Sequence, residues 1–211
     1  MEALADIAYG IFEHFLTSQF HARRMPLYRL VEEGTTFQEE FGEVYTRFEE
    51  LYPDLALRLR ERYQSPDQMY DLIIAGEGVT PSKTTQSYWI IQDAPETDPH
   101  ATEDEKAGKW LIFLHPDLVD EMWKKIRDLT WQNELGISAK VSTAKNNPDS
   151  RDERRVIYVY TADWENEPEV MAVRERLRSI GIEDRIGYKR NIETFKGEYA
   201  AKGKRVTFYS A

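Results

Sequence analysis

The chain has 211 residues, enough for one good core or one core with a helical appendage. Its formal net charge of −10 opposes non-specific attraction to nucleic acid, so DNA of arbitrary sequence is not an expected partner. With no cysteine, disulfides, zinc–thiolate sites, iron–sulfur clusters and thiol nucleophiles are all excluded.

Residues 1 to about 75 read as helical. Leu4, Ile7, Ile11 and Phe15 recur at helical spacing, as do Phe37, Phe41, Val44, Phe48 and Leu51. Pro26 and Gly34 punctuate the region, and Pro53 opens a further helix through Leu55 and Leu59. Ser65 suits an N-cap and Pro66 a first helical position, with a short helix over Gln68 to Ala75 ended by Gly76 and Gly78. The aromatic residues of this region, Phe12 to Phe48, are expected to bury, and a two-sided pattern would instead mark a protein-partner surface. The apolar runs are too short to span a bilayer, so no membrane association is expected. MEALADIAYG has neither the basic start nor the cleavage site of a signal peptide, which places the expectation in the cytoplasm.

From Pro81 the character changes. Ser87 to Gln92 reads as a strand rich in aromatic and β-branched residues. An acidic, turn-rich loop follows from Asp93 to Gly108, and KWLIFL is the next strand. Asp117 is placed to cap a helix with Val119, Met122, Trp123, Ile126 and Leu129 on its apolar face. ISAKVSTA alternates Ile137, Ala139 and Val141 against Ser138, Lys140 and Ser142, so one face is buried and the other polar. A polar connection from Lys145 to Arg155 leads to the strand VIYVYTA. A helix over Glu167 to Ile180 is stopped by Gly181, and RIGYKR and KRVTFYS close the pattern as strands. Amphipathic strands favour a mostly antiparallel sheet with helices on one face over a doubly wound parallel sheet. The expected fold class is therefore α+β. A helical region, 1–80, packs on the core and precedes a sheet domain, 81–211.

In order and spacing, GKWLIFL, Trp123, GISAKV, VIYVYT, LRSIGI and IGYKR resemble the translation initiation factor 4E fold. Within that superfamily GKWLIF, AKVST, VIYVYT, LRSIGI, YKR and GEY look closer to the basophilic-leukaemia-expressed protein family. The resemblance covers Ser87 to Ala211 and implies a curved, mainly antiparallel sheet backed by helices, with a ligand slot on its concave side. It also implies, as a second possibility, a phosphothreonine-lyase-like domain. Cap recognition carries over poorly. Thr102 stands where the family has a tryptophan before Glu103-Asp104-Glu105, and Tyr160 stands where it has the tryptophan that meets the methyl group. Trp110 and Trp123 match scaffold positions.

Lys140 and Ser142 share a strand face, with Thr143 and Lys145 just beyond. With Lys189 and Arg190 from the later strand, they form a cationic, hydroxyl-bearing set that suits phosphate. Tyr158 and Tyr160 point to one face, and Tyr188 and Tyr199 are candidates to join it; such rings can stack a base. The alternative for each is an ordinary solvated sheet face or core packing. Of the four histidines, only His115, directly after a strand, is placed for acid catalysis. A lyase on phosphothreonine needs a base, an acid and cations, for which residue type alone offers Lys140, His115, and Arg154 or Lys189. No metal-ligand spacing and no glycine-rich nucleotide loop occurs, so neither a metal nor a cofactor is expected. The acidic loop reads as solvated.

The expected function is a non-catalytic binding protein for a phosphorylated small molecule or RNA end. Lys140, Ser142, Thr143, Lys145, Lys189 and Arg190 would lie at the phosphate, and Tyr158 or Tyr160 at the ring. The alternatives are a phosphate-ester enzyme of lyase type and a protein-interaction module that uses the N-terminal helices.

Overall fold

The computed structural model describes residues 2–97, 103–147, 153–195 and 207–211. Thr102, Asp98, His100 and Tyr199, all singled out above, lie outside the described residues. The chain divides into two compact units, Met1–Ile90 with Thr143–Asp149, and Ile91–Ser142 with Ser150–Ala211.

Among the described residues, the first unit is built from five helices: α1 (Glu2–Ala22), α2 (Leu27–Glu33), α3 (Gln38–Leu51), α4 (Pro53–Tyr63) and α5 (Pro66–Ile74). Pro53 and Pro66 start their helices at the first helical position, where a missing N–H costs nothing. Gly34 closes α2 in the left-handed conformation that a side chain would strain. The core joins Tyr9, Phe12, Leu16 and Phe20 of α1 to Phe41, Val44 and Phe48 of α3, with Leu59 of α4 and Ile73 of α5. Phe12 meets Phe41, Tyr45 and Phe48 edge-on at 5.1–5.9 Å, the geometry that aromatic quadrupoles favour. The expected α1 face is corrected here. Leu4 and Ile7 are each 56% exposed and Ile11 is 39% exposed, because α1 is apolar on both sides and packing chose the other one.

The second unit contains β2 (Gly108–Leu114), α6 (Pro116–Trp131), β3 (Ser138–Ser142), β4 (Arg155–Thr161), α7 (Glu167–Ser179), β5 (Gly187–Arg190), α8 (Asn191–Phe195) and β6 (Tyr209–Ser210). Strand β1 (Trp89–Asp93) carries the chain from one unit into the other. Among the described residues, the antiparallel sheet has six strands in the order β1-β3-β4-β2-β5-β6, which confirms the α+β class with a helical N-terminal region. Short helix α8, directly after β5, was not anticipated.

One sheet face is apolar. Trp110 and Ile112 of β2, Ala139 and Val141 of β3, Ile157 and Val159 of β4 and Tyr188 of β5 are all buried. On the same side, the Trp110 indole N–H donates to the Val170 carbonyl of α7 at 3.1 Å. Helix α6 starts differently from the expectation. Its N-cap is His115, whose Nδ1 accepts from the Asp117 N–H at 3.4 Å, while Asp117 sits in the first turn. Pro116, at the first helical position, sets the start one residue before Asp117.

Candidate functional site

Strand parity places the polar side chains on the other face of the sheet. Across β3, β4, β2 and β5, one row reads Ser138, Tyr160, Lys109 and Lys189. The adjacent row reads Lys140, Tyr158, Leu111 and Gly187. Lys109 thus lies directly opposite Lys189, a pairing of like charges that costs stability unless something answers it.

The geometry is close. Lys109 Nζ stands 5.4 Å from the ring centre of Tyr158 and 5.3 Å from that of Tyr160. Lys140 Nζ faces the same rings at 5.4 and 5.8 Å. The two rings are 6.4 Å apart and nearly perpendicular at 82°. Lys109 Nζ also donates to Asn191 Oδ1, at the start of α8, at 3.1 Å. Lys109 and Lys189 are buried, whereas Lys140, Tyr158 and Tyr160 are half-buried.

Burial, reinforced by the charges of Lys140 and Lys189, pushes the Lys109 ammonium down to about 8. Burial also lowers Lys140. The Tyr160 hydroxyl moves the other way, raised by burial and then by Tyr158, so it stays protonated at any ordinary pH. Two phenol rings therefore wall a row of crowded ammonium groups. An anion bridging them would relieve both the repulsion and the desolvation.

The expected site residues do not all meet. Lys140, Tyr158, Tyr160 and Lys189 are brought together, and Ser142 shares their face, its Oγ accepting the Val156 N–H at 2.8 Å. Thr143 and Lys145 belong to the helical unit. There the Thr143 hydroxyl donates to the Ser87 carbonyl at 2.5 Å. Lys145 pairs with Asp6 at 3.1 Å, donates to the Gln86 carbonyl at 2.6 Å and lies 4.6 Å over the Tyr88 ring. Arg190, one residue past Lys189, falls on the opposite face by parity, where its guanidinium bonds Glu193 Oε1 at 3.0 and 2.8 Å and packs on Trp164 and Phe208. Tyr188 is corrected for the same reason: it is buried on the apolar face, its hydroxyl 2.6 Å from that of Thr161.

Lys109 was missed. Its signal was the strand period itself, since a core Trp110 requires the preceding residue to face the other way. The lyase set is not assembled. His115 follows the far end of β2, about 20 Å along the strand from Lys109, and caps α6. Arg154 lies over the Phe113 ring at 5.1 Å, toward that same far end. Among the described residues, no group of three or more carboxylate or imidazole side chains is placed to hold a metal.

Residues 97–195 match a family model described as basophilic leukemia-expressed protein Bles03. That stretch, just under half of the chain, is similar to the Bles03 family. The matched segment contains every member of the lysine–tyrosine cluster, and helices α1 to α5 lie outside it.

Among solved structures, the chain is similar to schistosome eIF4E complexed with m7GpppA and 4E-BP, at 16% identity and a TM-score of 0.39. That match covers 51% of this chain and 60% of the other. It is also similar to C. elegans eIF4E-3 in complex with the 4E-binding protein Mextli and a cap analog, at 14% identity and a TM-score of 0.36, covering 55% and 64%. Ascaris suum eIF4E-3 with m2,2,7G cap matches at 16% identity and a TM-score of 0.32, covering 45% and 57%. Each match spans less than two thirds of the other chain.

Proposed function

We propose that this chain binds a phosphorylated ligand, a nucleotide or an RNA end, on the lysine–tyrosine face of its sheet. One observation carries the reading: the amines of Lys109 and Lys140 face the same two phenol rings, with Lys189 directly across the register from Lys109. Ammonium groups crowded in this way gain from an anion, because it cancels their mutual repulsion and replaces lost hydration with charge-assisted hydrogen bonds. The rings of Tyr158 and Tyr160 offer a π-face to a base. The role is binding rather than turnover, since the acid candidate His115 is spent on a helix cap far from the lysines.

Calorimetric titration with inorganic pyrophosphate and with guanine and adenine nucleotides tests the reading. Lys140→Ala and Lys109→Met are each expected to weaken pyrophosphate by about tenfold or more, the loss of one charge-assisted contact. Circular dichroism would check that the variants fold. Unchanged affinity in both folded variants sinks the proposal.

A second reading, a protein contact through the N-terminal helices, has its own observation in the exposed stripe Leu4, Ile7 and Ile11 of α1. Ile7→Asp with Ile11→Asp would abolish such a contact and leave pyrophosphate binding intact. A partner that still binds the double variant removes this reading.

A further inference from the structure

Lys109 occupies the centre of the cluster rather than its edge. It faces both tyrosine rings, opposes Lys189 across the register and is tethered by the carboxamide oxygen of Asn191. That oxygen can accept one hydrogen from either a charged or a neutral amine, so the tether survives deprotonation and holds the nitrogen in place. We infer that Lys109 Nζ is a nucleophilic amine that condenses with the aldehyde of a small anionic oxo compound, while Lys140 and Lys189 hold its anionic group. The inference rests on the anion-binding reading of this same face.

The groups around the amine come from four elements. Among the described residues, the charges that act on it are those of Lys140 of β3 and Lys189 of β5, and both lower it. Tyr158 and Tyr160 of β4 supply the ring walls, and Asn191 of α8 is neutral. Burial and like charge act in one direction, bringing the amine to about 8. At neutral pH roughly a tenth of such an amine is unprotonated, against well under a thousandth of an ordinary lysine. A desolvated lysine beside another cation is a recognised route to an imine-forming nucleophile.

The step balances without any further reagent. The nitrogen lone pair adds to the carbonyl carbon, and the carbonyl π pair moves to oxygen, which takes up a proton. The carbinolamine then expels that oxygen as water while nitrogen forms the C=N bond and loses its remaining hydrogen. One amine and one aldehyde give one imine and one water, with no change in oxidation state. Lys140 and Lys189 take no part in bond making and act as positioning residues for the anion. Because Lys109 is buried and only its neighbours Lys140, Tyr158 and Tyr160 are half-exposed, the oxo compound must be small.

Glyoxylate is the probe, with cyanoborohydride to trap the imine and peptide mass spectrometry to locate the product. The exposed Lys83 and Lys106 serve as internal references in the same wild-type, full-length sample. At pH 7 Lys109 should be modified at least about tenfold faster than either reference, with the rate levelling off above about pH 8 and pyrophosphate protecting it. Lys140→Gln should reduce the advantage with glyoxylate. If Lys109 reacts no faster than Lys83 while pyrophosphate still binds, the nucleophile is overturned and the anion site stands. If Lys109 keeps the same advantage with neutral acetaldehyde, the anionic half of the inference is overturned. If pyrophosphate neither binds nor protects, the reading of the whole face fails with it.

Discussion

Lys109 and Glu13 are two side chains whose protonation the fold alters within an accessible pH range. The lowered Lys109 means that a bound anion loses a charge partner well before ordinary lysines titrate. Pyrophosphate affinity should therefore fall by up to about tenfold between pH 7 and pH 9, and Lys109→Arg should remove that decline. A flat profile in the wild type would contradict the assignment. Glu13, on α1, has its carboxyl raised to about 7, chiefly by burial and further by Glu77, against the opposing hydrogen bond from Ser87 and charge of Lys145. The folded protein thus keeps a proton there that the unfolded chain releases near 4.5. Stability should be greatest below that value, decline as pH rises through the window to about 7, and level off above it, a change on the order of 3 kcal/mol. Glu13→Gln should flatten this slope and stabilise the protein at pH 8, as urea unfolding at pH 5 and pH 8 would reveal. An unaltered slope would mean that another group drives it.

Helix α1 and strand β2 each depend on one packing decision. On α1, Phe12 is in the core and Ile7 is 56% exposed, although both belong to apolar stripes. Phe12→Ala should cost about 3–5 kcal/mol in denaturant unfolding, whereas Ile7→Ser should stay within about 0.5 kcal/mol. The reverse ranking would place the other face inward. On β2, a Cβ at Gly108 would overlap the Tyr188 hydroxyl, which is engaged with Thr161. Gly108→Ala should cost about 1–3 kcal/mol through overpacking. Tyr188→Phe should recover part of the loss by removing the hydroxyl. If the double variant shows no recovery, the clash lies elsewhere.

Net charge acts on the protein as a single body, whereas the lysine cluster acts only where it sits. With a formal charge of −10, the long-range field repels polyanions, and a few buried lysines cannot reverse it. Pyrophosphate or a nucleotide can reach a local set of amines, but a DNA duplex also meets the field of a protein with a net charge of −10. Mixed-sequence duplex DNA should therefore fail to displace bound pyrophosphate even at 10 mM salt, where the field of the net charge reaches about 30 Å. Displacement at that salt would indicate a basic track that the charge distribution does not predict. No described helix is long and apolar enough to cross a membrane.

Much of this was legible from local pattern. Period-two alternation in ISAKVSTA and VIYVYT put Lys140 on one face and Ile137 on the other, and likewise separated Tyr158 and Tyr160 from Ile157 and Val159. The same rule in GKWLIFL and IGYKR puts Lys109 and Lys189 on the polar face and Tyr188 and Arg190 on the other, so this part of the site is also local information. Other features were beyond any local pattern. Helix α1 is apolar on both sides, and only contact with α3 and α4 selected Phe12 over Ile11. Lys145 looked free for phosphate until the fold brought it to Asp6, 139 residues earlier. The crowding that lowers Lys109 arises across the pairing of β2 with β5, between residues distant in sequence. Periodicity is set by backbone geometry within a few residues, so the sequence alone determined which side chains share a face. Burial, register and charge crowding come from contacts between distant segments, and only the tertiary structure decided which of those faces became a site.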